Sequence, residues 1–138
     1  MIGVWKAYSS LYLYAVAVGM LVAFGLPLLV APAWLFGLLG WDIPQPDHMI
    51  VILGRSLGGI ICVLGGFAIK AARTPGTQPF FFALMLWIFL AMIPIHIYGA
   101  ITGIQPVAET VEIAVWVFLF VVTLGFYPTG SLGGGTVS

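Results

Sequence analysis

Residues 7–30 read AYSSLYLYAVAVGMLVAFGLPLLV, and this stretch decides the fold. It holds no Asp, Glu, Lys or Arg. At 1.5 Å per residue a helix of this length exceeds the roughly 30 Å hydrocarbon core of a bilayer. Lys6 precedes it and Pro32 follows it. Ala31-Pro32-Ala33 has the small side chains of a leader cleavage site. A secretory leader, however, has an apolar region of only about 7–15 residues, so the stretch is expected to be kept as a first membrane helix.

The same reading extends outward along the chain. No charged residue occurs between Lys6 and Asp42, between Arg73 and Glu109, or after Glu112. Of the 138 residues, 62% are hydrophobic and 6% charged, with a mean hydropathy of +1.20. A soluble domain of this size has too much surface for its volume to hide that apolar content. The expected fold is therefore all-α: a polytopic membrane protein built as a four-transmembrane-helix bundle. Its spans fall at about 7–30, 49–71, 80–101 and 107–127, in one domain over 1–130, with a Gly-rich, flexible tail over 131–138. Trp34 to Trp41 is too short to cross and reads as an interfacial segment anchored by its two tryptophans. Turn-rich stretches at 42–48, 73–79 and 103–106 connect the spans, with Pro106 suited to the first turn of the last helix and Pro128 to its end.

Charge placement orients the bundle. Lys6, Lys70 and Arg73 fall at one end, and Asp42, Asp47, Glu109 and Glu112 at or near the other. The excess of basic residues marks the cytoplasmic side, so both termini are expected there. Trp5, Tyr8 and Tyr127 then form the inner aromatic belt, and Trp34, Trp41 and Tyr98 the outer one. Trp87 and Trp116 lie deeper and read as packing residues.

Composition also excludes several functions. Net charge is zero without a basic block, which argues against nucleic acid as a partner. The single cysteine, Cys62, rules out an internal disulfide or CxxC chemistry. There is no Walker loop, nucleophile elbow or HExxH. Catalysis by this chain alone is not expected.

What chemistry there is starts from Arg55, inside Gly54-Arg55-Ser56-Leu57-Gly58-Gly59. A guanidinium keeps its charge, so among lipid tails it needs compensation. Counted inward from the ends of their spans, Arg55, His96 and Glu112 lie at one level beneath the outer surface, with Glu109 one helical turn above Glu112. Arg55, His96, Glu112 and Glu109 are therefore expected to form a buried polar cluster or a ligand pocket. In the first reading Arg55 and Glu112 make an ion pair, with His96 as a hydrogen-bonding neighbour that fixes helix register. In the second, the cluster opens outward and binds a polar head group, a quinone carbonyl or an anion. A metal site is not expected. His96, Glu109, Glu112 and His48 offer suitable donors, but no HxxH or ExxH pair exists and Arg55 beside them would repel a cation. A haem on His96 lacks a second axial ligand at matching depth, methionines aside. Gly54, Gly58, Gly59, Gly65, Gly66 and Gly99 read as close helix-packing positions, Gly54 and Gly58 as a GxxxG pair.

The segment Ala31-Pro32-Ala33-Trp34-Leu35-Phe36-Gly37-Leu38-Leu39-Gly40-Trp41 after the first span, Gly54-Arg55-Ser56-Leu57-Gly58-Gly59 opening the second, a histidine late in the third and a glutamate early in the fourth resemble the DoxX-like and BphX-like group of small four-helix membrane proteins. The resemblance runs from about Leu11 to Tyr127. It implies a bacterial inner membrane. Some members of the group look like membrane subunits of quinone-linked oxidoreductases, which would give Arg55 and His96 a role in quinone or anion binding. The leading expectation is an accessory or structural subunit of a larger membrane complex. Its surroundings would be lipid and other subunits; it would have no cofactor of its own, with lipid or quinone as candidate occupants of its polar pocket. A transporter is the weaker reading, because a single polar layer does not make a pathway.

Overall fold

The computed structural model describes residues 8–44 and 47–128. Trp5, Lys6 and the tail at 131–138 lie outside the described residues. Within them the chain is helical, with no strand. Helix α1 (Ser9–Gly19) continues through a π-helical stretch (Met20–Gly25) into α2 (Leu26–Val30). Then come α3 (Pro32–Leu38), α4 (His48–Arg73), a 3₁₀ turn (Pro75–Thr77), α5 (Gln78–Thr102) and α6 (Val107–Phe126). Four stretches, Ser9–Val30, His48–Arg73, Pro75–Thr102 and Val107–Phe126, are long and apolar enough to cross a membrane. The chain is an integral membrane protein of four spanning helices, whose boundaries agree with the expected spans to within two residues at each end except that the third begins at Pro75 rather than at 80.

The π-helical stretch has a local cause. Pro27 has no N–H to offer the carbonyl of Ala23, and its ring crowds that carbonyl. Widening the preceding turn relieves the clash. A second internal proline, Pro94 in α5, leaves the Leu90 carbonyl without its usual helical donor. Helix α5 ends at Gly103, whose φ of 67° is left-handed. There the Ile104 N–H donates to the Gly99 carbonyl at 3.2 Å and closes the helix end. A similar reversal at Gly40, φ 89°, follows α3 and turns the chain back toward the bundle.

Close packing of α4 against the first span and α3 rests on three glycines. At Gly58 a Cβ would lie 2.6 Å from the Leu29 nitrogen and 2.9 Å from the Gly25 carbonyl oxygen, so the two backbones touch. Gly54 lies against Pro32 and Phe36, and Gly65 against Leu21. Gly99 on α5 makes room for the Gln105 side chain of the following turn rather than for another helix. Gly59 and Gly66 do not. A Cβ on either would meet nothing within 4 Å, so they belong to the outward face of α4 rather than to the bundle's own packing.

The continuous core lies at the end that carries residues 8 and 128. Leu13 and Ala17 from α1, Ala68, Ala71 and Ala72 from α4, and Phe81, Phe82, Met85 and Phe89 from α5 are buried together. Phe126 from α6 stacks on Tyr12 at 4.7 Å. Polar contacts close the same end. Ser9 Oγ donates to the Phe126 carbonyl at 2.7 Å, the Gln78 amide donates to Ser10 Oγ at 2.8 Å, and the Tyr12 and Thr123 hydroxyls hydrogen-bond each other. At the opposite end α3 packs on α4 while α5 pairs with α6.

Candidate functional site

Helix α6 begins after Pro106, which cannot donate and so costs the first turn nothing. Glu109 falls in that first turn, where the helix dipole favours an anion. Glu112 follows three residues later and Trp116 four after that, so all three share one face of the helix. This face looks onto α5 at His96, which is 5% exposed. His96 Nε2 lies 3.2 Å from Glu109 Oε2 and 3.5 Å from Glu112 Oε2. The Trp116 ring packs beside the imidazole, centroids 5.9 Å apart, and against Phe89 at 5.8 Å. From the turn after α3, Trp41 donates its indole N–H to Glu109 Oε1 at 2.9 Å.

The imidazole is held from behind as well. Its Nδ1 is 2.9 Å from the Met92 carbonyl oxygen. A carbonyl only accepts, so Nδ1 carries a proton and donates it there. In a neutral ring Nε2 then presents its lone pair to the two carboxylates. The carboxylate side chains are 16% and 20% exposed, against 6% for the imidazole. With both carboxylates ionised, the site carries a formal charge of −2 around a neutral imidazole and −1 around an imidazolium.

Three of the four residues expected to form a polar cluster thus meet: His96, Glu109 and Glu112. Arg55 does not join them, and the expected Arg55–Glu112 ion pair is absent. Arg55 is exposed on α4 and makes no hydrogen bond or ion pair with any described residue. The reason is rotational. The buried face of α4 runs through Gly54, Gly58, Gly65, Ala68 and Ala72. Arg55 stands one residue, about 100°, around from that line. Equal depth in the membrane did not mean equal azimuth. His48, considered as a donor, is exposed at the start of α4 and stays outside the cluster.

Sequence reasoning missed two members of the site. Trp41 reads as an interfacial anchor, yet it caps Glu109. Trp116 reads as packing alone, although its spacing from Glu109 and Glu112 already put it on their face. The buried Trp116 indole N–H reaches no acceptor at hydrogen-bonding geometry and interacts with the Glu112 carboxylate from slightly farther away.

No family model, curated protein or solved structure matches the chain. Its function therefore has to be argued from the bundle and its site.

Proposed function

We propose that the protein is a small accessory subunit, without catalysis of its own, of a larger membrane complex in a bacterial inner membrane, with residues 8 and 128 on the cytoplasmic side. Arg55 carries this reading. It lies about 10 Å along α4 from His48, exposed, among exposed Ile52, Leu53 and Leu57, with no carboxylate of the described residues against it. A permanently charged guanidinium at that depth needs an acceptor from outside the chain. Gly59 and Gly66, one and three turns further along, leave the same side of α4 open to the backbone of an approaching helix. A partner helix with an acidic residue opposite Arg55 fits both features. The quinone-linked alternative rests on the resemblance to DoxX-like proteins, and it has less support because Arg55 does not join His96.

The test is mild-detergent extraction from the native membrane, comparing the wild type with Arg55→Glu and Gly59→Leu. The wild-type chain should co-migrate with larger membrane polypeptides in stoichiometric ratio. Both variants should lose that partner while melting at the wild-type temperature on their own. A wild-type chain that migrates alone, or with lipid only, overturns the subunit reading and assigns Arg55 to a lipid phosphate.

A further inference from the structure

The geometry points to a divalent metal site at His96, Glu109 and Glu112, of a size and donor set suited to a first-row transition ion such as zinc(II). It is independent of the subunit reading, which rests on the other side of the molecule. The three donor atoms lie within 4.8 Å of one another. Zinc binds histidine nitrogen and carboxylate oxygen at about 2.0–2.1 Å, so neighbouring donors around a tetrahedral ion are about 3.3–3.4 Å apart. The separations from Nε2 to the two carboxylate oxygens, 3.2 and 3.5 Å, bracket that edge, while the two carboxylate oxygens, within 4.8 Å of each other, would draw together on the ion.

A second observation separates this constellation from a chance meeting of acids. His96 is nine-tenths buried, and the Met92 carbonyl commits its Nδ1 proton. A neutral ring therefore turns its lone pair toward the carboxylates, and the contact holds only with a proton or a metal cation between Nε2 and the oxygens. The same arrangement, a ring N–H held by a backbone carbonyl with the other nitrogen free, orients metal-ligating histidines. Trp41 acts in an analogous way on Glu109: it holds Oε1 and leaves Oε2 to the centre. Nitrogen with two carboxylates leaves a fourth position for water, on the side where the glutamates are partly exposed.

Two objections weighed against metal in the sequence. The repelling guanidinium is not there, because Arg55 faces away. The missing HxxH or ExxH spacing does not matter, because the donors come from two helices, Glu109 and Glu112 three residues apart on one and His96 on its neighbour. The competing occupant is a second proton on Nε2, which would make an imidazolium paired with the glutamates.

The experiment uses the full chain in detergent micelles, stripped of metal with chelator, then titrated with Zn²⁺ by calorimetry and with Co²⁺ by visible absorption. Binding of one ion per chain is expected, with Co²⁺ bands of a low-coordinate nitrogen–oxygen site. His96→Ala and the double change Glu109→Gln with Glu112→Gln should each weaken Zn²⁺ binding by at least about tenfold, the scale on which even the loss of a supporting partner acts. His48→Ala and Arg55→Ala should leave it unchanged. If His96→Ala fails to fold, the glutamine pair, which keeps the side-chain shape, decides alone. Saturable binding lost in these variants supports the site. No saturable binding, or binding that survives the glutamine pair or falls with His48→Ala, overturns it in favour of the proton.

Discussion

Gly58 and Gly59 are neighbours in sequence and opposites in consequence. A methyl group added at Gly58 would lie 2.6 Å from the Leu29 nitrogen and 2.9 Å from the Leu28 carbonyl carbon and the Gly25 oxygen. An ordinary contact needs at least about 3.4 Å, so the backbones of α2 and α4 would have to separate by about 0.8 Å, and no side-chain rotamer could absorb the clash. Overpacking of this kind costs about 1–3 kcal/mol. The gain in helix propensity from Gly to Ala, up to about 1 kcal/mol, offsets part of it. Gly58→Ala should therefore destabilise the isolated chain by up to about 2 kcal/mol, and by about 1–3 kcal/mol relative to Gly59→Ala, which gains the same propensity without the clash. Gly59→Ala adds its methyl where nothing lies within 4 Å, so it should be neutral or stabilising by up to about 1 kcal/mol. Reversible unfolding of the detergent-solubilised chain, followed by circular dichroism in rising SDS, measures both. Equal effects of the two substitutions on stability would refute the assignment of inward and outward faces on α4. The Gly59 result also bears on the partner, because a methyl harmless to the monomer would still stand in the path of a docking helix.

Other outcomes follow from the packing at the end with residues 8 and 128. Phe82 is fully buried between Tyr12 and Tyr127, so Phe82→Ala should cost about 3–5 kcal/mol in the same unfolding assay. Tyr12→Phe and Thr123→Val each remove one side of a hydrogen bond and should cost about 1–3 kcal/mol, whereas the double variant should cost less than their sum. At the opposite end, Trp41→Phe deletes the indole N–H that holds Glu109. Amide hydrogen exchange should then quicken at 39–44 and in the first turn of α6, with the α1–α4 amides unchanged. For the orientation, Thr77→Cys in a Cys62→Ser background should be labelled in intact cells only by a membrane-permeant reagent; labelling by an impermeant one reverses the assignment of sides.

Much of this architecture was legible because bilayers impose a length on apolar runs. The absence of charge from Ala7 to Trp41 and from Thr74 to Ala108 was enough to place the first and third spans. Depth was legible for the same reason: a constant rise per residue puts Arg55, His96 and Glu112 at one level with Glu109 one turn above, and of these His96, Glu112 and Glu109 do meet. Azimuth was not. The run Arg55, Gly58, Gly59, Cys62, Gly65, Gly66 reads as one stripe, yet it contains two adjacent faces, one packed on Gly25, Leu28 and Leu29 and one open. Which face turns inward depends on what the first span presents, and no count along α4 reveals that. Trp41 escaped for a related reason, since its meeting with Glu109 depends on a left-handed turn at Gly40 and spans 68 residues of chain. The π-helical stretch before Pro27 also left no periodic trace, because one widened turn in an all-apolar helix changes no pattern of polarity.

The uneven distribution of packing makes the molecule mechanically lopsided. At one end Phe82, Leu13, Tyr12 and Thr123 tie α1, α5 and α6 into a single solid block. At the other, α2 and α3 grip α4 while α5 grips α6, and the Trp41–Glu109 hydrogen bond spans the gap between these two halves. The bundle resembles a spring clip, welded at its base and latched at its mouth by one indole N–H. Bending energy is therefore lowest where the jaws part. Lateral pressure from the bilayer would be felt first at that latch, and its release would move Glu109 before it disturbed the base.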